Sequence, residues 1–232
     1  MTLTLPYGIF EVPDTDSFAA EVQEEGFWDT DLQPYLDQVL LGQLVIDVGA
    51  HVGYYTGYLA SRGVGVIAIE GHPHYAPYLL KNIAANGWRE YVWVLPIMLY
   101  STQCTLVEQV DWESRASNTW LPGRPDAGPG AVSARRLDDL VELTQTLMKI
   151  DPQLRELNPT LLKIDAQGAD LHVLLGAERL IQRCHPNILI EYEAALAALH
   201  GHTAEDYYGW RDAHGYVETP ISGWNAYWVW RG

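Results

Sequence analysis

The segment Asp47-Val-Gly49-Ala50-His51-Val-Gly53 places two glycines and an acid where an apolar run gives way to a helix-like pattern. Glycine lets a backbone approach a ligand closely, and the first turn of a following helix offers N–H groups with no intrahelical partner. The spacing is G-x-x-x-G rather than the G-x-G-x-x-G of dinucleotide folds, and an acid stands two places before the first glycine. A carboxylate there fits poorly beside a pyrophosphate and suits a ligand bearing an ammonium group. Glu70 ends the next apolar run, 23 residues after Asp47, where an acidic side chain can take both hydroxyls of a ribose. The alternative is a tight turn and a solvated strand-end acid. Taken together, these residues predict an adenosine ligand with a cationic amino-acid tail, the form of S-adenosylmethionine.

A second group of acids ends two later runs, Leu161–Asp165 and Asn187–Glu191. In doubly wound folds the carboxyl ends of strands border the ligand crevice. Asp165 and Glu191 there suit a general base for a hydroxyl acceptor, or a pair of oxygen ligands for Mg²⁺. Lys163 reads as a partner charge for Asp165. His51, inside the glycine loop, is a candidate for contact with acceptor or cofactor, or a loop filler. His72 with His74, and His200 with His202, are pairs two residues apart, and nothing adjacent in sequence completes a three-ligand metal set. His200 and His202 are also candidates for the acceptor side.

The elements that must position these residues are legible as alternation. Apolar runs at Leu44–Gly49, Val64–Glu70, Tyr91–Leu95, Leu161–Asp165 and Asn187–Glu191 read as strands covered on both faces. Helical patterns cover Tyr54–Arg62, Tyr75–Asn86 and Asp170–Arg183. The expected class is α/β, a doubly wound, mostly parallel sheet with helices on both faces and a C-terminal antiparallel hairpin around Ile221–Asn225. Residues 1–42, with one helix over Asp31–Leu41, read as a helical cap on the main domain at 43–232. Residues 111–130, rich in Pro, Gly and Ser, read as a loop insert, and with Trp224-Asn225 they are the expected place for acceptor contacts.

A net charge of −16 argues against a non-specific nucleic-acid binder and against adhesion to anionic membranes. The start of the chain lacks a secretory pattern, no run approaches a membrane span, and Cys104 and Cys184 have no ligand or disulfide spacing. A cytoplasmic protein with no nucleic-acid or membrane partner is expected.

The chain resembles the FkbM-type S-adenosylmethionine-dependent methyltransferases, a class I Rossmann-like family. The resemblance rests on Asp47–Gly53, Glu70, Asn82-Ile-Ala-Ala-Asn86, Arg136-Leu-Asp-Asp-Leu140, Lys163-Ile-Asp-Ala-Gln-Gly-Ala-Asp170, Leu175-Gly-Ala177 and Ile188-Leu-Ile-Glu191. It implies that Asp47, Gly49 and Gly53, with Ala50 and His51 between them, flank the methionine half of the cofactor. Glu70, followed by Gly71, holds the ribose, and Met98 and Leu99 border the adenine. Tyr54 and Tyr55 are placed near the sulfonium, where an aromatic face attracts a cation, or in the core as packing rings. Asp165 borders the cofactor and the acceptor. Three departures stand out: Gln167 and Asp170 replace the family's usual Glu, and Gly71-His-Pro73 replaces E-P-x-P. The expected reaction is O-methylation of a hydroxyl on a small metabolite or glycan. The rival expectations are an NAD(P)-binding oxidoreductase and a catalytically idle cofactor-binding module.

Overall fold

The apolar runs Leu44–Val48, Gly65–Ile69, Leu161–Ile164 and Asn187–Glu191 form strands. The computed structural model describes residues 1–14, 16, 19–109, 119–124, 130–141, 158–221 and 223–232, and the chain divides into two units, Met1–Pro96 and Ile97–Gly232.

In the first unit, β1 (Thr2–Leu5) and β2 (Gly8–Glu11) form an antiparallel hairpin, followed by α1 (Ala19–Glu25) and α2 (Gln33–Leu36). Then β3 (Leu44–Val48), α3 (Tyr54–Ser61), β4 (Gly65–Ile69), α4 (Ala76–Ala85) and β5 (Val92–Leu95) alternate. The three strands β3, β4 and β5 are parallel and in neighbouring order, with Asp47 opposite Ala68 and Ala68 opposite Val94. Val45, Ile46, Val66, Ala68 and Ile69 are buried, as expected for strands covered on both faces. The helix expected over Asp31–Leu41 is the shorter α2, and the first 42 residues also contain a hairpin that four-residue strands conceal from pattern reading.

That hairpin explains one motif. Asn82 Nδ2 donates to the carbonyls of Glu11 (2.9 Å) and Val52 (2.9 Å), and Asn82 Oδ1 accepts from the N–H of Glu11 (2.8 Å). One helical turn on, Asn86 Oδ1 accepts from the N–H of Ile9 (2.9 Å) and Nδ2 donates to the carbonyl of Ile9 (2.7 Å). Four helical residues rise about 6 Å and two strand residues about 6.7 Å, so the two amides match the spacing of alternate strand residues. Helix α4 thus supplies the side-chain partners for the edge of β2.

In the second unit, β6 (Met98–Leu99), β7 (Cys104–Gln109), β8 (Thr119–Pro122) and β9 (Ala131–Arg135) make a four-stranded sheet in the order β6-β9-β7-β8. Only β6 and β9 are parallel within it. The insert expected at 111–130 is therefore in part a strand, β8, with Thr119 and Trp120 buried; residues 110–118 and 125–129 lie outside the described residues. Strands β10 (Leu161–Ile164) and β11 (Asn187–Glu191) are parallel, and β13 (Asn225–Trp230) runs antiparallel to both β11 and β12 (Tyr216–Pro220). The C-terminal hairpin is where the sequence puts it.

The helix expected over Asp170–Arg183 is two helices, α5 (Asp170–Gly176) and α6 (Glu178–Cys184), followed by α7 (Ala194–Leu199) and α8 (Ala204–Ala213). The break has a cause. A Cβ on Gly176 would sit 2.5 Å from the carbonyl oxygen of Tyr100, so the backbones are in close approach there. Buried Asp138 then accepts from the N–H groups of Arg179 (3.1 Å) and Leu180 (3.0 Å), which starts a new helix by capping it from a distance.

Among the described residues no helix is long and apolar enough to cross a membrane. Cys104 and Cys184 are not joined in a disulfide, and both are partly exposed. The expected α/β class with mostly parallel strands, helices and a terminal antiparallel pair is what the chain adopts.

Candidate functional site

In the first unit the turn after β3 bends through three left-handed residues, Gly49 (φ 73°), His51 (φ 54°) and Gly53 (φ 99°). Two are glycine, for which this region is free of steric cost; His51 is not, and strain of that kind collects at functional loops. The turn is held from below and from the side. Asp47 has no exposure, and its Oδ2 accepts from Thr56 Oγ1 of α3 at 2.6 Å. This contact ties the end of β3 to the first turn of α3. Glu70, 7% exposed, holds the side: Oε2 accepts from the N–H of His51 (2.8 Å) and Oε1 from the N–H of His72 (2.7 Å). Gly71 lies between Glu70 and the His72 N–H that closes this turn.

The structure gives three of the sequence candidates other neighbours. The His51 ring packs on Tyr75, centroids 4.0 Å apart, and its backbone serves Glu70. Tyr54 packs on Phe10 (5.6 Å) and its hydroxyl donates to Asp16 Oδ2 (3.3 Å), while Tyr55 packs on Phe27 (5.7 Å). Both tyrosines are buried, so their rings belong to the aromatic core of the first unit. Ala50, also buried, donates its N–H to the carbonyl of Ile69 (3.2 Å), tying loop to strand.

In the second unit the turn after β10 gathers an acid cluster. Gln167 (φ 51°) and Gly168 (φ 93°) are consecutive left-handed residues. A Cβ on Gly168 would lie 2.6 Å from the backbone carbon of Leu196, so only glycine fits against α7. Asp170 closes the turn: its Oδ1 accepts from the N–H of Ala166 (2.7 Å) and Oδ2 from that of Gly168 (3.0 Å). Burial raises the Asp170 carboxyl to about 7, helped by the charge of Asp165 and opposed by those two hydrogen bonds. Gln167 Nε2 donates to Asp165 Oδ1 (2.9 Å) and lies 3.5 Å from Glu191 Oε2, and Lys163 Nζ stands 3.5 Å from Asp165 Oδ2. Burial opposes the charge on Asp165, but the Lys163 ammonium and the hydrogen bonds of Gln167, Glu191 and Lys163 outweigh it and hold this carboxyl below its ordinary value. Burial and then the charge of Asp165 push Glu191 far above its own. The pair thus carries one proton, on Glu191, and one charge, on Asp165.

This arrangement does not fit the Mg²⁺ expected at Asp165 and Glu191. A hard divalent cation takes oxygen lone pairs, and here an amide N–H₂ and a lysine ammonium point at them, while Glu191 keeps its proton. Among the described residues no group of three or more His, Cys, Asp or Glu is arranged to hold a metal ion. Met98 and Leu99 form β6; Met98 packs against the cluster of Tyr100, Leu106, Trp120, Ala134 and Ala169.

The protonated pair has a measurable consequence. Above its ordinary value of 4.5, an unfolded chain releases the Glu191 proton that the folded chain keeps, so stability falls as pH rises through that window. Asp170 contributes in the same direction only up to about 7, and His172 and His200, lowered to about 4 chiefly by burial, act oppositely below 6.5. From about pH 7 upward Glu191 dominates, and unfolding free energy in urea should drop by up to about 1.4 kcal/mol per pH unit. Glu191→Gln should flatten that slope; an equal slope in variant and wild type would show that Glu191 is not protonated in the fold.

Sequence reading missed His172. It stacks on Tyr100 (3.8 Å) and its Nε2 lies 3.1 Å from His202 Nε2. The only signal was its place one turn into a helix, which does not reveal a partner 30 residues away.

The parallel α/β strands, the glycine turn after β3 and the acid ending β4 define a class I S-adenosylmethionine-dependent methyltransferase fold. The methyltransferase FkbM domain family matches residues 47–217, most of the chain, and the chain belongs to that family. A solved methyltransferase FkbM from Methylobacillus flagellatus KT is similar at 17% identity with a TM-score of 0.52, covering 81% of this chain. The present chain spans only 43% of that protein's length. The precorrin-6y C5,15-methyltransferase of Geobacter metallireducens GS-15 is 12% identical, covering 94% of this chain and 92% of its own (TM-score 0.49). A TehB-like S-adenosylmethionine-dependent methyltransferase from Corynebacterium glutamicum ATCC 13032 Kitasato is 11% identical, covering 94% and 98% (TM-score 0.47). No curated protein matches the chain.

Proposed function

We propose that the protein transfers a methyl group from S-adenosylmethionine to a hydroxyl of a small metabolite or glycan. The observation that carries the reading is Glu70: a buried-edge carboxylate at the end of β4 with both oxygens fixed by backbone N–H groups of its own unit. It would hold the ribose diol. Gly49, Ala50 and Gly53 would line the amino-acid end, with the charge of Asp47 favouring its ammonium, and Met98 and Leu99 would border the adenine. The bound cofactor supplies an electrophilic methyl group on a sulfonium.

The acceptor oxygen must lose its proton as it gains the methyl carbon, and Asp165 would orient that hydroxyl by accepting its hydrogen bond, acting as a weak base because its carboxyl is held below its ordinary value. It is ionised, held by Gln167 and offset by Lys163, while Glu191 already carries a proton and donates to it. The His51 ring packs on Tyr75, and Asp165 is preferred to it for this role. The family membership favours this reading over an NAD(P) oxidoreductase.

Calorimetric titration with S-adenosylhomocysteine and with NAD(P)H tests the first step, and a panel of sugars and hydroxylated metabolites with labelled S-adenosylmethionine tests the second. Binding of the homocysteine compound and label transfer to a hydroxyl, reduced at least tenfold in Asp165→Asn, is the expected result. A response to NAD(P)H alone would overturn the cofactor, and tight binding with no label transferred to any acceptor would favour an idle binding module.

A further inference from the structure

Among the histidines of the second unit that the methyl-transfer reading leaves unused, three cluster together: His172 on α5, His200 at the end of α7, and His202 in the turn before α8. Their two ring nitrogens divide the roles. Thr119 Oγ1 donates to the carbonyl of Gln167 (2.6 Å), so toward His200 Nε2 (2.9 Å) it can only accept. His200 is therefore protonated on Nε2, with Nδ1 3.4 Å from the Tyr100 hydroxyl, and both its nitrogens are engaged. His172 and His202 differ. Their Nε2 atoms face each other at 3.1 Å, and His172 Nδ1 is 2.9 Å from Ser101 Oγ.

We infer that His172 and His202 form a two-imidazole site for a borderline divalent transition-metal ion such as Zn²⁺. Metal–nitrogen bonds of about 2.0–2.1 Å on two nitrogens 3.1 Å apart subtend an angle of about 98°, between the tetrahedral and octahedral values. Imidazole pairs suit zinc, nickel and copper rather than magnesium or calcium. Ser101 Oγ lies 2.9 Å from His172 Nδ1, and the Nδ1–H tautomer donating to it would leave Nε2 as a lone pair, the usual device for orienting a ligating histidine.

Both rings are set by backbone already fixed. His172 lies in the first turn of α5 with its ring clamped on Tyr100. His202 follows Gly201 (φ 79°), its N–H donates to the carbonyl of Ala197 (3.0 Å), and the capping box of Thr203 and Asp206 locks the residue after it. Both residues keep partial exposure, which gives an ion a way in. No further His, Cys, Asp or Glu completes the set among the described residues, so the other positions are open to water or to an oxygen or nitrogen ligand.

The probe is ZnCl₂ alone, titrated calorimetrically into the full chain, with 15N-imidazole spectra recorded on the same samples. One equivalent should bind, shifting Nε2 of His172 and His202, and His172→Ala or His202→Ala should weaken binding at least tenfold. Ser101→Ala should weaken it by a similar factor through loss of ring orientation, and His185→Ala, whose ring stacks on Trp230, should not. S-adenosylhomocysteine titration of each variant reports whether it is folded, and the wild-type spectra decide the matter for any variant that is not. Absence of stoichiometric binding, or shifts in other rings, would leave the contact as an internal N–H···N bond and overturn the site.

Discussion

Glu70→Ala is expected to weaken S-adenosylhomocysteine binding by roughly 150-fold. Hydrogen bonds to a charged group contribute about 1.5–3 kcal/mol each, and loss of two ribose contacts at the low end is about 3 kcal/mol. The same change releases the N–H groups of His51 and His72, so the glycine turn loses its lateral support as well. Glu70→Gln should be nearly as damaging. Each carboxylate oxygen already accepts from a backbone N–H, so the amide –NH₂ must face one of those donors whichever way it is turned. Asp47→Asn should cost less, about tenfold, because the Thr56 hydroxyl keeps an oxygen acceptor and only the buried charge is removed. Calorimetry checks all three, with circular dichroism to confirm folding. Unchanged affinity in Glu70→Ala would remove the ribose assignment and with it the proposed cofactor site.

The second large effect is on stability. Gly168→Ala should lower the unfolding free energy by about 2–6 kcal/mol, a large share of the 5–15 kcal/mol typical of a domain. Two costs combine. At φ 93° an L-residue is strained, by about 1–3 kcal/mol, and the new Cβ would meet the backbone carbon of Leu196 at 2.6 Å and its oxygen at 2.7 Å. Backbone cannot swing aside as a side-chain end can, so α7 must shift, which adds about 1–3 kcal/mol of overpacking. Gly201→Ala is the control. It has φ 79° but nothing within 4 Å of the new Cβ, so only the backbone cost of about 1 kcal/mol applies. Urea unfolding of the two variants separates the terms; equal losses would mean that close approach to Leu196 contributes nothing. Because Gly168 adjoins Gln167, the Gly168 variant should also disturb the acid cluster, while Gly201→Ala should leave it intact.

The strand and helix alternation was legible because its signal is local. A β-branched run such as Leu44–Val48 or Asn187–Glu191 is apolar on both faces wherever it packs, so its class can be read from the run itself. The glycine turn and Glu70 were legible for the same reason: they are strand-end residues, and their place follows from the runs that precede them. The short strands β1, β2 and β8 were not, since four residues give too few alternations to separate a strand from a loop. The undivided helix expected over 170–183 was a local reading defeated by two distant contacts, Tyr100 against Gly176 and Asp138 against the N–H groups of α6.

The motifs followed the same division. The motifs that carry the family resemblance contain Asn82 and Asn86, Asp138, and Asp165 through Asp170. Tertiary structure decided what each does: the asparagines answer the edge of β2, Asp138 caps α6, Asp170 closes its own turn, and Asp165 and Glu191 share one proton. Side-chain type and period determine which face of an element is buried, and that much is written along the chain. The charge state of a carboxyl and the meeting of His172 with His202 depend on which distant groups the packing brings within 3–4 Å, and only the folded chain sets those distances.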